Sequence, residues 1–165
     1  MRSLAPVVFF YYNRPDHTRQ VLESLYRNKY ADESRLWIYV DGPKAGASEE
    51  TRSAIAEVKK AVREKKWCKE VTIIEAEVNK GLVRSTTEGV TKLVNEFGKV
   101  IVMEDDNLVS PGFLTYMNDA LDLYEHNPRV MQYGVQKNVA QSGDSPVKLG
   151  RLAGDVLQDR FAIEN

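Results

Sequence analysis

Four short apolar runs punctuate the chain, at residues 7–11, 36–40, 71–74 and 100–103. Each is nearly continuous rather than alternating, and each is rich in β-branched or aromatic side chains. Such runs predict strands buried on both faces, as in a parallel sheet covered by helices. The segments between them change to a helical period. Val21, Leu22, Leu25 and Tyr26 share one face behind a Pro15-Asp16 start. Ile55, Val58 and Val62 form a second stripe behind the acidic turn Glu49-Glu50. Leu82, Thr86, Val90, Leu93, Val94 and Phe97 form a third, with Gly98 placed to end that helix. After the last run, Ser110 suits a cap and Pro111 a first helical position. Phe113, Leu114, Met117, Leu121 and Tyr124 then make a fourth apolar face.

Strand alternating with helix predicts an α/β fold, a doubly wound and mostly parallel sheet flanked by helices. Past Asn127 the pattern weakens. Residues 130–135 read as one more strand, 140–147 as a polar loop and 148–165 as a short helix with no fixed place. There is no internal repeat and no low-complexity tract.

In such sheets ligands bind at the carboxyl ends of the strands, so those ends hold the candidate chemistry. The first strand leads into Tyr12-Asn13-Arg14-Pro15 and the second into Asp41-Gly42-Pro43. The third is followed by Asn79-Lys80-Gly81 opening a helix, and the fourth by Glu104-Asp105-Asp106. Three consecutive carboxylates repel one another unless water or a cation neutralises them. A hard divalent ion such as Mn²⁺ or Mg²⁺ prefers oxygen ligands and bridges to phosphate oxygens; otherwise the triplet is a solvated acidic turn. Asp41 can accept a hydrogen bond from a uracil imide N–H, or serve only the turn that Asp-Gly-Pro favours. The backbone N–H groups at Lys80 and Gly81, with Arg84 close by, can meet a phosphate or ribose, or simply begin a helix.

Composition narrows the field. The 165 residues suffice for one domain with its own core. Net charge is −1, from 23 Lys+Arg against 24 Asp+Glu, so no field favours nucleic acid or a membrane surface. No apolar run is long enough to span a bilayer or to form a signal-peptide core, and the chain as given reads as cytoplasmic. One cysteine, Cys68, forms no internal disulfide, and His17 and His126 have no partner at zinc spacing. Receiver domains and phosphatases on doubly wound sheets carry acids after the first strand. Here that strand ends in Tyr12-Asn13-Arg14. A nucleotidyltransferase would carry a Gly-rich loop there, and none is present.

The set Phe9-Phe10-Tyr11-Tyr12-Asn13-Arg14-Pro15, Tyr39-Val40-Asp41-Gly42, Asn79-Lys80-Gly81 and Val102-Met103-Glu104-Asp105-Asp106 resembles GT-A-fold glycosyltransferases. The likeness is to family 2-like bacterial enzymes and to N-acetylglucosaminyltransferase I, where Glu-Asp-Asp precedes a Ser/Ala-Pro-x-Phe helix start. Here that start reads Ser110-Pro111-Gly112-Phe113. The resemblance runs through roughly the first 130 residues with the motifs in the same order.

It implies a Rossmann-like nucleotide-sugar-binding domain over residues 1–135, and a glycosyltransferase moving sugar from a nucleotide diphosphate donor, a UDP-sugar, to an acceptor hydroxyl. By the resemblance, Asp106 ligates Mn²⁺ or Mg²⁺, Asp105 contacts the ribose or sugar, and Glu104 supports the donor sugar. Asp41 binds the base. Asn13 and Arg14 line the nucleotide pocket, and Lys80 and Gly81, with Arg84 nearby, border the ribose or diphosphate. Residues 136–165 match no motif of the family and stand as the start of an acceptor region. No residue there is singled out as a base. The alternative is a nucleotide-sugar-binding module without transfer.

Overall fold

The computed structural model describes residues 3–127, 132–135 and 149–152. The chain divides into two compact units, Met1–Asn118 and Asp119–Asn165. Strands β1 (Val7–Tyr11), β2 (Arg35–Val40), β3 (Glu70–Glu75) and β4 (Ile101–Met103) alternate with helices α1 (Pro15–Tyr26), α2 (Glu49–Ala61) and α3 (Leu82–Phe97), and α4 (Phe113–Tyr124) follows β4. The sheet runs β3-β2-β1-β4, and every pairing is parallel. The chain therefore steps outward from β1 to β3 and then returns to lay β4 on the other side of β1. The reversal between β1 and β4 is the switch point at which such sheets hold ligands.

The predicted four strands all form, but their burial differs from expectation. Only β1 is buried along its whole length. β2 has its buried positions at alternate residues, β3 has none, and Val102 in the middle of β4 is 43% exposed. β3 and β4 are the outer strands of this sheet, so each has one hydrogen-bonded neighbour and less cover. A run of Val and Ile marks strand propensity but does not report whether a helix lies over both faces.

The helices show similar adjustments. In α1 the buried side chains are Thr18, Val21, Leu22 and Leu25. Thr18 is tolerated there because its hydroxyl donates to the Arg14 carbonyl at 2.8 Å. Tyr26 is half exposed instead, its ring edge-on to Trp67 and carrying the Lys65 ammonium 4.3 Å from its centroid. In α2, Ser48 caps the first turn by accepting from the Thr51 N–H, and Ile55, Val58 and Ala61 face inward. In α3 the inward residues are Thr86, Gly89 and Leu93, while Leu82 and Val94 are exposed. Gly89 lies so close to the sheet that a Cβ there would stand 2.9–3.0 Å from the rings of Phe10 and Tyr39. The helix axis is set by that contact rather than by the widest apolar stripe. Gly98 ends α3 in the left-handed conformation, as expected.

Helix α4 starts at Phe113, after a turn that holds Pro111 and Gly112. The Phe113 N–H donates back to the Ser110 carbonyl, while the Leu114 N–H is met from elsewhere: Asn28 accepts from it at 3.0 Å and donates to the Ser24 carbonyl. Asn118, fully buried, accepts from the Ala5 N–H at 2.8 Å and donates to the Leu114 carbonyl. It thus ties the approach to β1 onto α4. Truncation to Asn118→Ala leaves the buried Ala5 N–H without an acceptor and opens a small void. We expect a loss of about 2–3 kcal/mol in urea unfolding, and Asn118→Asp, which keeps the acceptor but buries a carboxylate against the Leu114 carbonyl, should cost at least as much at neutral pH.

In the second unit, β5 (Gln132–Val135) and β6 (Leu149–Leu152) form an antiparallel pair, with Gln132 opposite Leu152 and Val135 opposite Leu149. The strand expected over 130–135 is there within its described part. In the segment expected as a short helix over 148–165, residues 149–152 are a strand, and the rest of it lies outside the described residues. A local period cannot register the ladder partner that β5 supplies. The expected loop at 140–147 lies outside the described residues.

Candidate functional site

The carboxyl ends of β1, β2 and β3 open into a cleft of about 470 Å³. Asn13 and Arg14 from the β1–α1 turn, Asp41 from the end of β2, Lys80 and Gly81 before α3, and Asp105 after β4 all line it. Six residues marked by the strand-end argument, from segments far apart in sequence, are therefore brought together.

Asp41 is the most constrained of them. Its Oδ1 accepts from the N–H groups of Gly42 and Lys80 at 2.9 and 2.8 Å, and its Oδ2 accepts from the Gly81 N–H at 2.9 Å. Gly81 is the N-cap residue of α3 and has no side chain to cap with, and its φ of 80° suits glycine. The Asp41 carboxylate caps the helix in its place and meets the positive end of its dipole. The N–H groups of Lys80 and Gly81 are thus already committed to Asp41. Of roughly four acceptor positions on the carboxylate, three are filled.

The walls are cross-braced. Asn79 donates its side-chain amide to the Gly42 carbonyl at 3.1 Å, and its N–H to the Pro43 carbonyl at 3.2 Å. A Cβ on Gly42 would come within 2.6–2.7 Å of backbone atoms of Glu77 and Val78. Gly42 is needed because the 77–78 backbone passes against it.

The cationic side of the cleft contains a residue that strand-end reading missed. Glu88, on α3, accepts from Lys80 Nζ at 3.0 Å and from Arg84 Nε at 2.7 Å. These two hydrogen bonds hold its carboxyl below the usual range. Arg84 and Glu88 stand at helical i, i+4 spacing, a signal readable in the sequence. Lys44 also lines the cleft, and no pattern in the sequence marks it.

The three acids after β4 separate. Asp105 is half-buried and lines the cleft, whereas Glu104 and Asp106 are exposed and do not contribute to its lining. Glu104 accepts from the Asn107 amide at 3.3 Å. Among the described residues no three His, Cys, Asp or Glu side chains form a metal-holding group. The donors present are hard carboxylate oxygens. Such a set suits Mg²⁺ or Mn²⁺, which take one or two carboxylates and complete their shell with substrate phosphates and water rather than a full protein cage. Cys68 is buried, its thiol pushed up to about 12 by burial, and so stays protonated and unreactive. His17 and His126 are exposed.

No protein-family model and no curated protein matches the chain. Solved structures do. TarS of S. aureus, a glycosyltransferase, superposes with a TM-score of 0.51 at 15% identity, over 86% of this chain and 23% of TarS. The fold is a Rossmann-like α/β fold, shared with that part of TarS. At that identity the likeness concerns the fold, and the chain spans about a quarter of the length of TarS. No helix among the described residues is long and apolar enough to cross a membrane.

Proposed function

We propose that this chain is the donor-binding part of a metal-dependent glycosyltransferase that moves a sugar from a UDP-sugar to an acceptor hydroxyl. The observation that carries the reading is the convergence of Asn13, Arg14, Asp41, Lys80 and Asp105 in one cleft at the carboxyl ends of a parallel sheet. The fold shared with TarS supports it.

On this reading the open acceptor position of Asp41 takes the uracil imide N–H, and Asn13 and Arg14 flank the nucleotide. Lys80 faces the diphosphate from the cleft, and Arg84, which does not line the cleft, stands beside it through Glu88. Asp105 receives ribose or sugar hydroxyls and Glu104 supports the donor sugar. Asp106, in the exposed turn beside the cleft, would hold Mn²⁺ or Mg²⁺. When bound, that ion would supply positive charge to the diphosphate leaving group.

Calorimetric titration with UDP is expected to show binding that depends on Mn²⁺. Asp106→Ala should weaken the Mn²⁺-dependent binding at least about 10-fold and leave the metal-free titration unchanged. A folded sample that ignores UDP under both conditions would overturn the reading. Glu88 engages both Lys80 and Arg84, so Glu88→Gln should raise UDP affinity about 2- to 5-fold at low salt, with the gain fading as salt increases.

A second reading is favoured by the state of the cleft's acids. Asp41 is committed to backbone N–H groups, Glu88 to Lys80 and Arg84, and Glu75 to Lys59 and Arg63. Among the described acids lining the cleft, only Asp105 has no such commitment, and it is assigned to the donor. A module that holds a nucleotide sugar without transferring it accounts for a cleft whose described residues include no unengaged carboxylate for an acceptor hydroxyl. Turnover of a donor panel, read as transfer or hydrolysis, separates the two.

A further inference from the structure

At the head of the cleft, Tyr11 ends β1 with its side chain 3% exposed, and its hydroxyl has no hydrogen-bond partner. A buried hydroxyl without an acceptor is costly, and its packing role needs no oxygen. The Tyr11 ring stacks on Phe9 at 5.2 Å with 8° between planes, a contact that phenylalanine would make equally well. Burial, and then the nearby Asp105 carboxylate, raise its ionisation well above the ordinary range, so the oxygen keeps its proton as a donor.

The register shows what it can reach. Phe9 pairs with Met103 across the parallel β1–β4 ladder. Continuing that register by two residues puts Asp105 level with Tyr11. β4 ends at Met103, so Asp105 lies in a turn outside the ladder and its side chain is not fixed by the strand pairing.

We propose that Tyr11 is a positioning residue whose hydroxyl donates to Asp105 when Asp105 engages the bound donor. One carboxylate oxygen is held by Tyr11 and the other is turned to the ligand, the arrangement by which outer hydrogen bonds orient a binding carboxylate. The inference rests on the nucleotide-sugar reading above and adds to it a residue that no ligand needs to touch.

The test uses the 165-residue chain and its Tyr11→Phe, Asp105→Asn and doubly substituted forms, titrated with UDP in Mn²⁺ and melted without ligand. Tyr11→Phe should melt at or above the wild-type temperature, because it removes an unsatisfied buried group. It should nevertheless bind UDP about 10- to 100-fold more weakly. In the Asp105→Asn background the same substitution should weaken binding much less. Undiminished binding by Tyr11→Phe, an additive double substitution, or a lowered ligand-free melting temperature would each overturn the inference while leaving the nucleotide reading intact. A wild-type chain that binds no UDP overturns that reading, and this inference with it.

Discussion

Replacing Asp41 with alanine is expected to lower stability by about 2–3 kcal/mol and to abolish metal-dependent UDP binding. The two effects share one cause. The carboxylate accepts three backbone N–H groups, from Gly42, Lys80 and Gly81, and so fixes both the turn after β2 and the entry to α3. Hydrogen bonds to a charged group are worth about 1.5–3 kcal/mol each when nothing replaces them. Water reaches the exposed Lys80 N–H in the variant, which keeps the total well below three full bonds. Asp41→Asn retains one oxygen and should fall between the wild type and alanine in urea unfolding. A stability change within about 0.5 kcal/mol for Asp41→Ala would mean the capping role is wrong. Unchanged UDP affinity would mean that the base is bound elsewhere.

The second large effect is expected one residue on. Gly42→Ala places a methyl group 2.6–2.7 Å from the backbone of Glu77 and Val78. Backbone cannot rotate away as a flexible side chain does, so the two loops must separate. Separation breaks the Asn79 bonds to Gly42 and Pro43 as well. The expected cost is about 3 kcal/mol, at the upper end for overpacking, and the lost brace should also weaken UDP binding. Gly46 is the control: nothing lies within 4 Å of a Cβ there. Its φ of 74° makes alanine mildly strained, so Gly46→Ala should cost only about 1 kcal/mol and leave UDP affinity unchanged. Equal losses from both substitutions would remove close approach as the reason for Gly42.

The pairing of these two neighbours shows how much of the site was legible. Asp41-Gly42-Pro43 reads as turn chemistry, and the turn is there. The sequence also offers Asp41 as a ligand for a base, and it lines the cleft. What it does not show is that Asp41 is the cap of a helix that begins forty residues later. Capping is recognised in sequence when the cap residue adjoins the helix. Gly81 adjoins α3 and has no side chain, so the local signal was empty and the distant one had no spacing rule to reveal it. The same holds for Asn28 at the start of α4. From the sequence, the N–H groups of Lys80 and Gly81 are candidates for a phosphate; in the fold they are held by Asp41.

The acids after β4 give the converse case. Their clustering is plain in the sequence, but three adjacent residues on a turn point in different directions. Only the fold separates Asp105, facing the cleft, from Glu104 and Asp106 at its exposed margin. Tyr11 was invisible for a related reason. Within an apolar run it reads as core, and nothing local distinguishes a satisfied phenol from an orphaned one.

The sequence by itself determined the order and type of the elements in the first unit. Strand runs and helical stripes are short-range patterns, and a parallel α/β sheet needs few other instructions. It also determined that polar residues cluster where the strands end. The tertiary structure alone decided the strand order with β4 beside β1, the exposure of Val102 and the choice of Gly89 as the contact of α3. It alone decided which hydrogen bonds bind the cleft together. Each of these depends on contacts between residues distant in the chain, whose energies no local period records.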